Sequence, residues 1–599
     1  MSVLVARGLM VESRRRGRVE PVLRGLNFAV APGQVLGLVG EAGAGGAVVG
    51  QAVAQQLPPG LVMAHGSFSF LGAELAGMPA AELRGVLGRE IAFLPPAPRA
   101  ALHPARTAGV QLAAHLRRLG VARAALRERA LAALAATGLA TPEAVLGRLP
   151  HLLSDEQCQM VLVAMAFAGA PKLVVAEEPT ALLDAAAQGR VLAAIQALRR
   201  THGAAMLLIT RDLLLAGAIC DELAVMMGGD IVEIGPAGPV LQAPRHPYTK
   251  SLLLAYPPMR GARPELYLLP EQAATDRALA LVAGCRFAPR CPVRAEYCLR
   301  TEPPLEGEGH RSACIRPGLV PAIAVQGAVP PPPWRPAGEV PVLALEGVGK
   351  AFARGPLWRR EAVAAVRDVT LRIAPGEFVA LVGEAGSGTT TLARLAAGLA
   401  RPDAGQVLLA GVDATQDDAA ARRHRAATVQ MVFDPAQAGL NPRRRVSDIV
   451  TEALAVGRTR FRVRETRARQ LLAEMGMALE LGVRVPGQLG EGPRGEAQRR
   501  RVALARALCG QPRLLVADGL FDGLDAPAQA DLMGLLQRLR QRMEVALLLV
   551  CRDLAVARHL CERVLVMHQG AIVEDGLADT VFGWPRHEAT KALLAGSPR

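Results

Sequence analysis

The chain has 599 residues, 51% of them hydrophobic but only 3% aromatic, and a formal net charge of +15. That length exceeds what one hydrophobic core supports, so two large domains or four smaller lobes are expected, and no run approaches the roughly 18 apolar residues of a membrane span. The charge is almost all arginine, lysine occurring only at 172, 250, 350 and 591; scattered, and with few aromatics to stack on bases, it reads as a solvated face rather than a nucleic-acid surface.

In chain order, MSVLVARGLMVESRRRGRV places its apolar run before its arginines, the reverse of a secretory signal, and predicts a cytosolic chain. VLGLVG, residues 35–40, reads as a buried strand that feeds the glycine loop GEAGAGGA, residues 40–47. VARAALRERALAALAATG, residues 121–138, predicts a helix, and KLVVAE (172–177) and AMLLIT (205–210) predict further buried strands of a largely parallel sheet. The fold class expected is α/β.

The second part repeats the first. APGQVLGLVGEAGAGG (31–46) returns as APGEFVALVGEAGSGT (374–389), PKLVVAEEP (171–179) as PRLLVADGL (512–520), and PRHPYTK (244–250) as PRHEATK (585–591). Order and spacing hold throughout, which marks a duplication. Between the copies, AVPPPPWRPAGEVP (328–341) favours an extended polyproline linker. The expected division is a first nucleotide-binding domain over 1–255, a cysteine-bearing tail over 256–320, a linker over 321–341 and a second domain over 342–599.

These motifs resemble the ATP-binding subunits of ABC transporters, specifically fused dipeptide/oligopeptide/nickel importers with two P-loop domains, each with a helical subdomain, in one chain. The glycines Gly40, Gly43, Gly45 and Gly383, Gly386, Gly388, with Glu41, Glu384 and Ser387, form loops whose backbone N–H groups suit a phosphate. The resemblance implies Lys then Ser/Thr next; the chain has Gly46 and Ala47, then Thr389 and Thr390. Glu177 stands where the family has a magnesium-supporting Asp, beside Glu178 at the water-polarising position; the second half keeps Asp518 and has Gly519 instead of the catalytic Glu. Arg211 and Arg552 occupy the switch-histidine position, and Pro96 and Asp434 the γ-phosphate-sensing glutamine. The LSGGQ signature reads LSDEQ, with Ser154, Asp155 and Glu156, in the first half; the second reads LGEGP with Glu491, or RGEAQ with Glu496. Phe352 falls where an aromatic ring stacks on adenine, and Ser13 holds that place in the first half. ATP with Mg is therefore expected mainly in the second half, through Phe352, Thr390 and Asp518, with weak or absent hydrolysis.

The added acids and arginines suggest that a signature carboxylate substitutes for phosphate and is clamped across the interface by Arg211 or Arg552; the same arginines could instead supply a cation to nucleotide. Cys285, Cys291, Cys298 and Cys314 cluster in one proline-rich segment suited to zinc or an iron–sulfur group, and the resemblance implies a [4Fe-4S] cluster. His310 reads as structural, and the remaining five cysteines as core.

The resemblance implies docking under transmembrane permease subunits through Ala101 to Pro104 and Gly439 to Pro442, a substrate-binding protein as further partner, intramolecular pairing of the halves and a place on the inner face of the cell membrane. A non-hydrolysing scaffold or regulator is the alternative role. A soluble tandem protein acting on ribosomes or nucleic acid would explain the charge but not the cysteine tail.

Overall fold

The computed structural model describes residues 2–15, 18–269, 283–324, 340–354, 361–416, 418–433, 439–456, 459–490 and 492–597. The first half opens with two long strands, β1 (Leu4–Arg15) and β2 (Arg18–Val30), and then β3 (Val35–Val39), β4 (Leu61–Phe70), β5 (Ala73–Glu74), β6 (Ile91–Leu94), β7 (Leu173–Glu177), β8 (Ala205–Thr210), β9 (Glu222–Met227), β10 (Asp230–Pro236) and the short β11 (Arg311–Ser312). One antiparallel sheet has the order β2-β1-β4-β5, and the main sheet the order β11-β10-β9-β3-β8-β7-β6. Strands β6, β7, β8, β3 and β9 run parallel. All of β3, β7 and β8 is buried. Being covered on both faces, they carry continuous apolar runs instead of alternation.

The second half repeats this plan. Strands β12 (Leu343–Arg354), β13 (Glu361–Ile373), β15 (Ala404–Leu409) and β16 (Val412–Asp413) form a sheet ordered β13-β12-β15-β16. The main sheet is β17-β18-β19-β14-β20-β21, from β14 (Phe378–Gly383), β17 (Val429–Val432), β18 (Leu514–Asp518), β19 (Ala546–Val550), β20 (Arg563–His568) and β21 (Ala571–Leu577). Between β6 and β7, and between β17 and β18, helices form a side lobe, including the predicted helix at Leu126–Ala135.

The halves share one apolar core. The helix Glu588–Gly596 lies on the helix Ala185–His202 of the first half, where a Cβ added to Gly189 would stand 3.0 Å from Gly596 Cα. At Gly596 a Cβ would stand 2.0 Å from the Ala185 carbonyl oxygen, so only glycine permits that approach. Residues 256–269 cross to the second half: buried Arg263 bonds Asp579 at 3.1 Å, and Arg558 donates to the carbonyls of Pro258 and Gly261 at 2.8 and 2.6 Å. No helix among the described residues is long and apolar enough to cross a membrane.

Candidate functional site

Each phosphate loop joins a central strand to a helix, β3 to Gly46–Val53 and β14 to Thr389–Ala396. The helices are capped by Gly45 and Gly388 at φ 111° and 105°, a left-handed backbone that favours glycine. Gly40 and Gly383 are required by close packing, since an added Cβ would meet the carbonyl oxygens of Met226 and Met567 at 2.3 and 2.5 Å. The loop frame is thus intact in both halves. What has changed is its side chains: at Gly46, in the lysine position, a Cβ would meet Ile209 Cγ2 at 2.9 Å. In the second half Thr389 already carries a Cβ there, and the residue matching Ile209 is the smaller Val550.

The acids lie at the ends of the neighbouring strands. In the second half the Thr390 hydroxyl bonds Asp518, whose carboxyl is raised by burial, so the hydroxyl–carboxylate pair suited to magnesium is assembled. In the first half Ala47 offers no hydroxyl, and Glu177 is pushed up to about 7 by burial and then by the charge of Glu178. Glu178 adopts a left-handed backbone at φ 43°, and Gly519, its counterpart, sits at 62°. The oxygens of Glu178 are engaged: Oε1 accepts from Arg211 N and Nε, each at 2.8 Å, and Oε2 from the Thr210 hydroxyl at 3.1 Å. A water could reach this carboxylate for proton transfer only by displacing one of these bonds.

Among the described residues, the signature acids Asp155, Glu156 and Glu496 do not meet Arg211 or Arg552, contrary to the sequence-based expectation of a clamp. Asp155 pairs with Arg99 at 2.8 Å, Glu156 with Arg190 at 2.6 Å, and Glu496 with Arg499 at 3.1 Å, all within their own halves. The cause is proximity: each acid has an arginine beside it on the same lobe or the adjoining helix. Ser154 caps the helix Asp155–Phe167 in a reciprocal box with Gln157, both bonds being 3.1 Å. Glu491 and Asp434 lie outside the described residues. Phe352 is half exposed, with the Lys350 ammonium 5.8 Å from its ring centre.

Carboxylates do reach the phosphate loops across the interface, from residues that sequence reasoning missed. Asp525 Oδ2 accepts from Ala42 N and Asp184 Oδ2 from Ala385 N, both at 2.8 Å. The switch-position arginines also cross, Arg211 Nη1 to the Gly523 carbonyl at 2.6 Å and Arg552 Nη1 to the Leu182 carbonyl at 2.7 Å. Arg190 extends from Glu156 toward Glu384 of the opposite loop, at 3.8 Å. On the first loop, Glu41 is held bidentately by Arg290 of the tail at 2.8 and 2.9 Å, a buried pair, and Glu41 N donates to the Tyr248 hydroxyl at 2.9 Å. Asp184 and Asp525 could have been found, because ALLDAAAQ and GLDAPAQ recur at matching places and place Asp before a helix. Arg290 carried no local signal.

Cys285, Cys291, Cys298 and Cys314 line one small apolar cavity of about 20 Å³ with His246 and Phe287. Each sulfur accepts a backbone N–H, from Phe287 and Ala288, from Val293, from Ala295 and from Arg316 respectively. Burial pushes the Cys291 thiol up to about 11 and raises Cys285 and Cys314. Among the described residues, no three His, Cys, Asp or Glu side chains are spaced to hold a single metal ion. Four amide-bonded sulfurs thus face one apolar cavity, a donor set whose chemistry suits zinc or an iron–sulfur group. His310 is structural, its Nε2 lying 2.6 Å from the fully buried Glu233. The other five cysteines are buried.

Comparison with known proteins agrees with this arrangement. The ABC transporter profile matches residues 23–181 and again 366–521, and the profile of the oligopeptide/dipeptide transporter C-terminal region matches residues 232–298. The oligopeptide transport ATP-binding protein OppD of Mycobacterium tuberculosis is 34% identical over 99% of this chain and 97% of its own. The glutathione import ATP-binding protein GsiA of Pectobacterium atrosepticum is 30% identical over 100% of this chain and 89% of its own. The peptidoglycan transport ATP-binding protein YejF of Agrobacterium fabrum is 30% identical over 99% and 96%. With two cassettes and a peptide-type C-terminal region fused in one polypeptide, the chain belongs to the ABC transporter family.

Proposed function

We propose that this chain is the ATP-binding subunit of a peptide-type ABC importer in which nucleotide is held mainly by the second half and hydrolysis is weak or absent. The observation that carries the reading is the state of Glu178: the sole acid at a water-polarising position has its oxygens taken by Arg211 and Thr210. Neither loop has a lysine, which weakens phosphate binding by about 1.5–3 kcal/mol. The Thr390–Asp518 pair and exposed Phe352 support magnesium and adenine binding in the second half. Permease subunits would dock near Ala101 to Pro104 and Gly439 to Pro442, at the inner face of the membrane, with a substrate-binding protein on the other side. Residues Cys285, Cys291, Cys298 and Cys314 would hold a [4Fe-4S] cluster, whose part is to fasten a tail that has little core of its own.

The second reading, a non-turning scaffold, is supported by Asp184 and Asp525, which join the halves by accepting from amides of the opposite loops. ATP binding and turnover by the purified protein, beside a Gly46→Lys, Thr389→Lys variant, test both. Turnover at about 1 s⁻¹ or faster in the unmodified chain, within the ordinary enzyme range, would overturn the proposal. Absence of any ATP binding would leave the scaffold.

A further inference from the structure

The second half has lost the carboxylate at Gly519, yet its switch-position arginine is paired. Asp522 Oδ2 lies 3.2 Å from Arg552 Nε, as Glu178 Oε1 lies 2.8 Å from Arg211 Nε in the first half. Position 522 matches Ala181, so the acid stands three residues downstream of its counterpart.

The local backbone explains why both positions serve. Asp522 N bonds the Gly519 carbonyl at 3.1 Å, and Ala181 N bonds the Glu178 carbonyl at 3.2 Å, so the same turn closes in both halves. The first and fourth residues of such a turn are neighbours, with Cα atoms under about 7 Å apart. A long Glu from the first corner or a short Asp from the fourth can therefore meet an arginine in one place. The turn is anchored further by Arg500, which donates to the carbonyls of Leu520 and Asp522. Glu178, Arg211, Asp522 and Arg552 all line one cavity of about 120 Å³ between the halves. Each arginine, steadied by its acid, spends its free nitrogen on the opposite turn, at Gly523 or Leu182.

We infer that Asp522 is the relocated carboxylate of the second half: a positioning residue that orients Arg552 onto the Leu182 carbonyl and so completes a reciprocal pair of clasps across the interface. The inference concerns the joining of the halves and does not depend on whether nucleotide turns over.

Hydrogen exchange of the full chain without nucleotide tests it, followed at residues 181–186, beside Leu182. Asp522→Ala is expected to speed exchange there about tenfold, the factor that corresponds to about 1.4 kcal/mol, and Arg552→Ala to do the same, with the double variant no faster than either. Adding Gly519→Glu to Asp522→Ala is expected to restore slow exchange, since Glu178 shows that the turn accepts a Glu at a left-handed backbone. A residue that merely filled space at 522 would not be rescued from 519. Unrescued exchange in Gly519→Glu/Asp522→Ala, or rate increases from Asp522→Ala and Arg552→Ala that multiply, would overturn the assignment. Asp522→Asn, which keeps the shape and removes the charge, serves if the alanine variant does not fold.

Discussion

Single residues decide what each half of this ABC protein can still do. Glu177 retains a proton in the folded chain up to about 7 because of burial and Glu178, against 4.5 unperturbed. Between those values the folded chain binds more protons than the unfolded one, so the stability this residue contributes falls as pH rises, by at most about 1.4 kcal/mol per pH unit. Thermal melts across that window should show a loss in the native protein that Glu177→Gln does not share. Gly46 sets a second expectation. A lysine there pushes on Ile209, so Gly46→Lys should cost about 1–3 kcal/mol by overpacking, recovered in part by Ile209→Val, while Thr389→Lys beside Val550 should cost less. Denaturant unfolding of the three variants compares them. The missing lysines and altered acids were legible in the sequence because they fall in motifs of fixed spacing. The partners of Asp155 and Glu156 were not: Arg99 and Arg190 are distant in the chain, and only packing brings them near.

At the level of elements, the fold was legible because fully buried strands such as β3, β7 and β8 write themselves as unbroken apolar runs next to glycine turns. The contacts between the copies were not, since an Asp before a helix has an ordinary explanation as a cap. Asp184 and Asp525 do both jobs: Oδ1 accepts from Ala187 N or Ala528 N in its own helix, and Oδ2 from the opposite phosphate loop. An asparagine has one acceptor oxygen and can serve only one of these. Asp184→Asn/Asp525→Asn should therefore keep the helix ends yet loosen the halves, whereas Asp→Ala should lose a further ~1 kcal/mol per cap. Calorimetry paired with cross-linking between the halves separates the two effects.

For the whole molecule, the tail is a strap over the first loop and the second half at once. Arg290 and Glu41 are both about nine-tenths buried, so Arg290→Ala should cost about 3–5 kcal/mol by leaving the acid unpaired. Cys285→Ser/Cys298→Ser should release the same contact, read as faster amide exchange at Glu41 and Ala42, whose N–H groups are bonded to Tyr248 and Asp525. The reciprocal clasps have one more consequence. Arg211 and Arg552 grip carbonyls, and Asp184 and Asp525 grip amides, so these bonds read only backbone and cannot tell one copy from the other. Discrimination rests on contacts without a twin, such as Arg263 with Asp579, where the first copy has Gly238. If the copies were expressed as separate polypeptides, self-pairing would compete with correct pairing. Fusion makes the choice of partner a matter of connectivity instead of recognition.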